Sequence, residues 1–272
     1  MSEDNRDLIQ VIEYMRAHWP SEVKPEWQVS LKEYPEILKK TLKDFTLAAT
    51  KNHQLIRIAG VSGSGKTTQI LPAVEAYCKK NNFEPILIAA RRFVEYHPHY
   101  QEIKDFYGDE NLRKMTDEFS TIMLFLTLSE LLKGGYDIVL DVTLLDPEIE
   151  AILLKVLRKV DYDMLILMIA VSPTITEKYL AGRAWRHSKE TEKEFIRATS
   201  HALEFYAKNS KDTRIIIWSV YDKLPVYDGP IKDSVKIFTE YSAREDLPAS
   251  DDDARRDAKI EYLTKLDLEK LL

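Results

Sequence analysis

Cysteine is nearly absent. Cys78 is the only one in 272 residues, so no intrachain disulfide and no zinc cluster of thiolates can form. Long apolar runs are absent too. The longest, residues 164–171, falls far short of the roughly 20 residues a membrane-spanning helix needs. The opening residues MSEDNRDLIQ carry neither the basic nor the apolar region of a secretory signal. Together these absences predict a cytoplasmic protein with no membrane partner. A net charge of −6 argues against a general nucleic-acid or membrane-surface binder, while leaving room for a local basic pocket.

Glycine is scarce as well, with eight in the whole chain, yet Gly60, Gly63 and Gly65 fall within six positions. Concentrating the most permissive backbone residue in one place marks a loop with a special task. The rest is an ordinary folding composition: 44% hydrophobic and 31% charged residues, enough apolar mass for a sizeable core. Ahead of the loop, Leu8, Ile12, Met15 and Trp19 recur at helical spacing. Pro20 and Pro25 interrupt them, and Tyr34, Leu38, Leu42 and Phe45 form a second amphipathic stripe.

From residue 54 the pattern changes. Short apolar runs at 55–59, 85–89, 138–140, 165–170 and 215–218 read as strands buried on both faces. Helix-length segments separate them, including one predicted helix over 112–132 that ends at Gly134-Gly135. Such alternation predicts an α/β fold with a largely parallel sheet. Residues 221–227 can add a small edge strand or hairpin. Pro72 stands inside the helix predicted after the glycine loop, where it should cost a hydrogen bond and bend the axis. The acid-rich segment around Asp251-Asp252-Asp253 reads as a solvated linker before a last short helix.

The glycines belong to Gly60-Val61-Ser62-Gly63-Ser64-Gly65-Lys66-Thr67, which satisfies G-x-x-x-x-G-K-[ST] between a strand and an amphipathic segment. In such a loop, successive backbone N–H groups turn inward to hold phosphate oxygens, and the following helix N-terminus adds positive potential. Lys66 is expected to reach the β/γ-phosphates of ATP or GTP, with Thr68 beside the loop and the Thr67 hydroxyl as a Mg²⁺ ligand. Asp141 ends the third strand, where its carboxylate would face that metal. No Asn/Thr-Lys-x-Asp motif for reading a guanine base is present. Asn209-Ser210-Lys211-Asp212 has its lysine one place late. A small kinase is therefore favoured over a switch.

Chain order and spacing over most of residues 52–228 resemble the zeta-toxin kinases. These are P-loop enzymes that phosphorylate UDP-N-acetylglucosamine and are restrained by an antitoxin. The resemblance rests on the loop, on Phe93 with His97-Pro98 and Tyr100, and on Gly135-Tyr136 leading to Asp141 and Thr143. It continues with Ala170-Val171, Gly182-x-x-x-Arg186 and Arg197-Ala198-Thr199. It implies a P-loop NTPase/kinase-type, mostly parallel sheet flanked by helices. An N-terminal helical extension (1–50), the kinase domain (51–240) and an acidic linker with a C-terminal helix (241–272) make up the chain. It also implies that Arg186 and Arg197 neutralise the transferred phosphate, with Arg183 one turn away able to substitute. His97 and Thr143 are carried as substrate-side candidates. From the residues alone, His97 and His99 lack a third ligand at metal spacing, and His97-Pro98 reads as fixing a loop.

The departures are specific. Ala89-Ala90-Arg91-Arg92 stands where the family has an acidic pair containing its base, Phe125 replaces a sugar-binding glutamate, and Asp141 replaces a longer glutamate. Arginine cannot accept the proton. Three readings stay open. In one, Asp141 serves as base and Arg91 or Arg92 grips an anionic small-molecule acceptor. The others are a nucleotide-binding pseudokinase and a partner-stimulated NTPase. Residues 1–48 are expected either to pack for stability or to occlude the nucleotide site in cis, as a helical antitoxin-like partner would in trans.

Overall fold

The computed structural model describes residues 12–13, 16–17, 21–45, 49–144, 147–180, 189–244 and 252–266. Helix α1 (Tyr34–Phe45) precedes strand β1 (Gln54–Ala59), the glycine loop and helix α2 (Leu71–Lys80). Strand β2 (Ile86–Ile88) leads into a 3₁₀ segment, Ala90–Tyr96, and helices α3 (Tyr100–Tyr107), α4 (Asp109–Met115) and α5 (Asp117–Lys133). Then come β3 (Ile138–Asp141), α6 (Pro147–Lys159), β4 (Asp163–Ala170), α7 (Pro173–Leu180) and α8 (Lys189–Asn209). Strands β5 (Arg214–Ser219) and β6 (Tyr227–Pro230), with helices α9 (Ser234–Ser242) and α10 (Asp252–Lys265), complete the described chain. None of the described helices is long and apolar enough to cross a membrane.

The strands form one sheet in the order β2-β3-β1-β4-β5-β6, parallel except for β6, which runs antiparallel to β5. This is the expected α/β class; the edge strand expected over 221–227 forms later, at Tyr227–Pro230, because residues 221–226 make the turn that reverses the chain against β5. Because β1 lies between β3 and β4, the loops leaving β1 and β3 diverge to opposite sides. They leave a crevice at the C-terminal edge, the usual ligand position in such sheets. The register pairs Ile58 with Asp141, so that carboxylate is fixed beside the glycine loop by the sheet itself.

Period-two alternation divides the core. Ile56, Ile58, Val139, Leu165, Leu167 and Trp218 pack with α2 and with Leu263 of α10 on one face. Leu55, Ile138 and Leu140 pack with α5 and α6 on the other, where Tyr34 of α1 stacks on Phe119 of α5. Arg57 shares that second face and is 2% exposed. Its guanidinium grips Glu150 of α6 through both terminal nitrogens, the Nη2–Oε1 contact being 2.8 Å, and Nη2 also donates to the Thr143 carbonyl at 3.2 Å. Tyr206 of α8 donates to Glu150 Oε2 at 2.7 Å.

Two local expectations need correction. The helix predicted over 112–132 is broken at Thr116, whose hydroxyl bonds back to the Leu112 carbonyl at 2.9 Å while its backbone leaves the helical region. Pro72 does not interrupt a helix interior, because it occupies the first turn of α2. Before it, Lys66–Ile70 forms a π turn in which Leu71 N–H reaches the Lys66 carbonyl. The wider turn and the terminal position accommodate the missing donor.

The buried pair gives the first prediction. Glu150→Ala strands the Arg57 charge and should lower stability by about 3–5 kcal/mol, read as a lower urea midpoint. Replacing both partners, Arg57→Met with Glu150→Leu, should recover most of that loss. Equal losses in the single and double variants would contradict this account.

Candidate active site

The crevice opens into a cavity of about 390 Å³. Its floor is the glycine loop, with Ser62, Gly63, Gly65, Lys66, Thr67 and Thr68 lining it. Gly60 has φ +135°, and a Cβ there would sit 2.9 Å from Ser64 Oγ and 3.1 Å from the Ile169 carbonyl, so a side chain is excluded. Gly65 takes φ +95° and its carbonyl accepts from Gln69 N–H at 2.8 Å, which starts the helix. Val61 and Ser64 are buried beneath the loop.

Lys66 folds back over this loop, with Nζ 2.5 Å from the Gly60 carbonyl and 3.0 Å from that of Val61. Loss of hydration brings its ammonium down to about 8; Asp141 and Glu192 oppose that shift, and Arg113 and Arg91 reinforce it. Thr143, in the loop after β3, donates from Oγ1 to the Gly60 carbonyl at 3.1 Å. The carbonyl that receives Lys66 is thereby shared with the neighbouring strand's loop.

Asp141 faces the cavity at the end of β3, and Arg91 Nη1 donates to its Oδ2 at 2.8 Å. Arg91 thus holds a carboxylate of the chain itself. Arg92 points elsewhere, because adjacent residues of a 3₁₀ turn diverge by about a third of a revolution. It bonds the Leu87 carbonyl and lies 4.4 Å over the Phe45 ring of α1. Only the first of the two arginines lines the cavity. His97 lies away from it, buried edge-on against Phe119 at 4.6 Å, with Nδ1 accepting from His99 N–H. Burial takes its imidazole down to about 4. Arg197 is on α8, exposed and outside the cavity lining. Arg183 and Arg186 lie outside the described residues. No residue of the 21–45 segment lines the cavity.

The opposite wall holds Phe125, singled out in the sequence, and with it groups that sequence reasoning missed. Arg113 of α4 and Asp117, Thr121, Leu124 and Phe125 of α5 face the loop. The missed signal was helical spacing: Asp117 is two turns before Phe125 on one face. Loss of hydration raises the Asp117 carboxyl above its ordinary value, with Arg113 pulling the other way. Glu192 of α8 is fully buried, and both of its oxygens lack a hydrogen-bond partner among the described residues. Burial pushes its carboxyl up to about 7, partly offset by Lys66.

A strand-borne phosphate loop, a strand-end carboxylate beside it and converging cations define a P-loop fold of the kinase type. A family model described as Zeta toxin matches residues 39–231. The chain belongs to the zeta toxin family. Its fold is similar to a structure from the PezAT chromosomal toxin–antitoxin system of Streptococcus pneumoniae, with a TM-score of 0.63 and 21% identity. That match covers 90% of this chain and 99% of the other. A match to the AvrRxo1-ORF1:AvrRxo1-ORF2 complex with sulphate ions covers 98% and 90% of the two chains. At 11% identity and a TM-score of 0.48 it is too remote to weigh. No protein of curated function matches the sequence directly.

Glu192 yields a pH prediction. With a carboxyl at about 7 when folded against an ordinary 4.5, the native state holds the proton more tightly than the unfolded chain. Stability should fall as pH rises from about 4.5 to about 7. Glu192→Gln should remove that fall and be more stable at pH 8 by on the order of 1–3 kcal/mol, measured by thermal melting across pH. Parallel wild-type and variant curves would show that Glu192 does not bury its proton.

Proposed function

We propose that this zeta toxin family member is a kinase that transfers the γ-phosphoryl group of ATP to a hydroxyl of an anionic small molecule. The observation that carries this reading is one cavity in which the Lys66 loop, Asp141, Arg91 and Arg113 face each other. Three cations and two carboxylates there give a local positive excess in a chain of net charge −6. A phosphate-rich ligand fits that excess, and phosphoryl transfer depends mostly on positioning and charge neutralisation.

The hard oxygen donors Thr67 and Asp141, both on the cavity wall, suit Mg²⁺, and Asp141 Oδ1 is left by the Arg91 contact. Bound there, the ion would neutralise phosphate charge. Lys66 would leave its carbonyls for the β/γ-phosphates, and Arg91 would exchange Asp141 for an anionic group of the acceptor. Arg186 and Arg197 remain the family's candidates for the transferred group. Family membership also supports a helical antitoxin as partner and a cytoplasmic setting.

The Arg91–Asp141 pair favours one second reading, a nucleotide-binding pseudokinase whose carboxylate stays occupied. Turnover separates the two. ADP formation should exceed that of Lys66→Ala, and mass spectrometry across an acceptor panel including UDP-N-acetylglucosamine should find a product heavier by one phosphoryl group. Lys66→Ala should lose ATP affinity by tenfold or more while keeping its melting temperature, because Lys66 contacts loop carbonyls and lies outside the apolar core. Tight ATP binding without any turnover in the wild type would support the pseudokinase instead.

A further inference from the structure

We infer that Asp117 is the general base that takes the proton from the acceptor hydroxyl, an assignment that rests on the kinase reading above. Among the described residues, only two carboxylates line the cavity, Asp117 and Asp141. Asp141 is beside the phosphate loop in the sheet register and already accepts from Arg91. A carboxylate holding a guanidinium and suited to a cation is a poor proton acceptor. Asp117 stands on the opposite wall, where an acceptor entering the cavity would lie between it and the loop.

Its local setting fits the task. The break at Thr116 ends α4 and starts α5, which puts Asp117 in the first turn of a new helix instead of mid-helix. Arg113, one turn earlier, is near enough to both ends of the cavity to influence Asp117 and Lys66. Thr121, Leu124 and Phe125 continue the same face of α5, giving the acceptor a hydroxyl and an aromatic surface beside the carboxylate. Asp117 forms no hydrogen bond with a described residue and is exposed where it lines the cavity, so an acceptor hydroxyl can reach its carboxylate.

In the step, the acceptor oxygen forms a bond to the γ-phosphorus as its proton passes to a carboxylate oxygen of Asp117. The bond from that phosphorus to the bridging oxygen breaks, and its electron pair leaves on ADP. Asp117 then gives the proton to water.

The test measures ADP formation by the full chain with water and with UDP-N-acetylglucosamine as acceptors, against Lys66→Ala as baseline. Asp117→Asn, which keeps an N-terminal helix side chain, should lower kcat by about 100-fold or more, with ATP Kd and melting temperature unchanged. Asp117→Glu should keep part of the rate and shift the acid limb of the kcat–pH profile. Asp117→Asn within fivefold of wild type, or an acid limb that disappears only in Asp141→Asn, overturns the assignment and leaves the kinase reading standing. Wild-type ADP formation equal to Lys66→Ala with both acceptors removes the kinase reading, and the assignment with it.

Discussion

A guanidinium in the middle of the central strand is the constraint around which this domain is arranged. Arg57 alternates with Leu55 and Ala59 on a face that must exclude water, and a lone charge there would be prohibitive. Glu150 and Tyr206 make it tolerable, drawing α6 and α8 onto β1. The same guanidinium holds the Thr143 carbonyl, while the Thr143 hydroxyl holds the Gly60 carbonyl. A core ion pair and the first residue of the phosphate loop are thus two hydrogen bonds apart. Apolar residues could fill the same volume. They would not supply directional bonds that fix the loop after β3 against the loop after β1.

That rigidity matters because the cavity it frames is electrostatically unsettled. Lys66 is held by carbonyls that a phosphate would outcompete, Asp141 is matched by Arg91, and Glu192 is buried without a hydrogen-bond partner among the described residues. Anion binding would raise the proton affinity of Lys66, and a cation at Asp141 would release Arg91.

Much of the fold was legible because it is local. Five strands follow from short apolar runs, and the phosphate loop follows from its glycines and the lysine after them. The break at Thr116 was hidden because an unbroken apolar pattern runs through it, and only the back-bond of one hydroxyl reveals it. Arg91 and Arg92 look equivalent in sequence and diverge because the turn carrying them is 3₁₀. Glu192 lies in the charged run Lys189-Glu190-Thr191-Glu192-Lys193-Glu194, which by composition reads as a solvated face. Lys259 of α10 is buried for a similar reason, packed in the C-terminal helix against α2 with its ammonium taken down to about 8 by lost hydration. Burial of single charges depends on which helix covers them, and no local pattern records that.

The placement of acids and cations also bears on what the cavity accepts. A base at the end of β2 would stand beside the phosphate loop on the same sheet edge, where this chain instead has Arg91 on Asp141. Asp117 stands on a helix facing that edge, about 12 Å along the axis from Phe125 at 1.5 Å per residue. On the kinase reading, an acceptor held by Asp117 near Arg113 would have the Phe125 ring within reach of its other end. Phe125 is also a wall of a second, mostly apolar cavity between α1, α5 and α6. Among the described residues Phe125 is the one side chain that lines both cavities, whereas the glycine-loop end of the first is tied to Arg57 through Thr143.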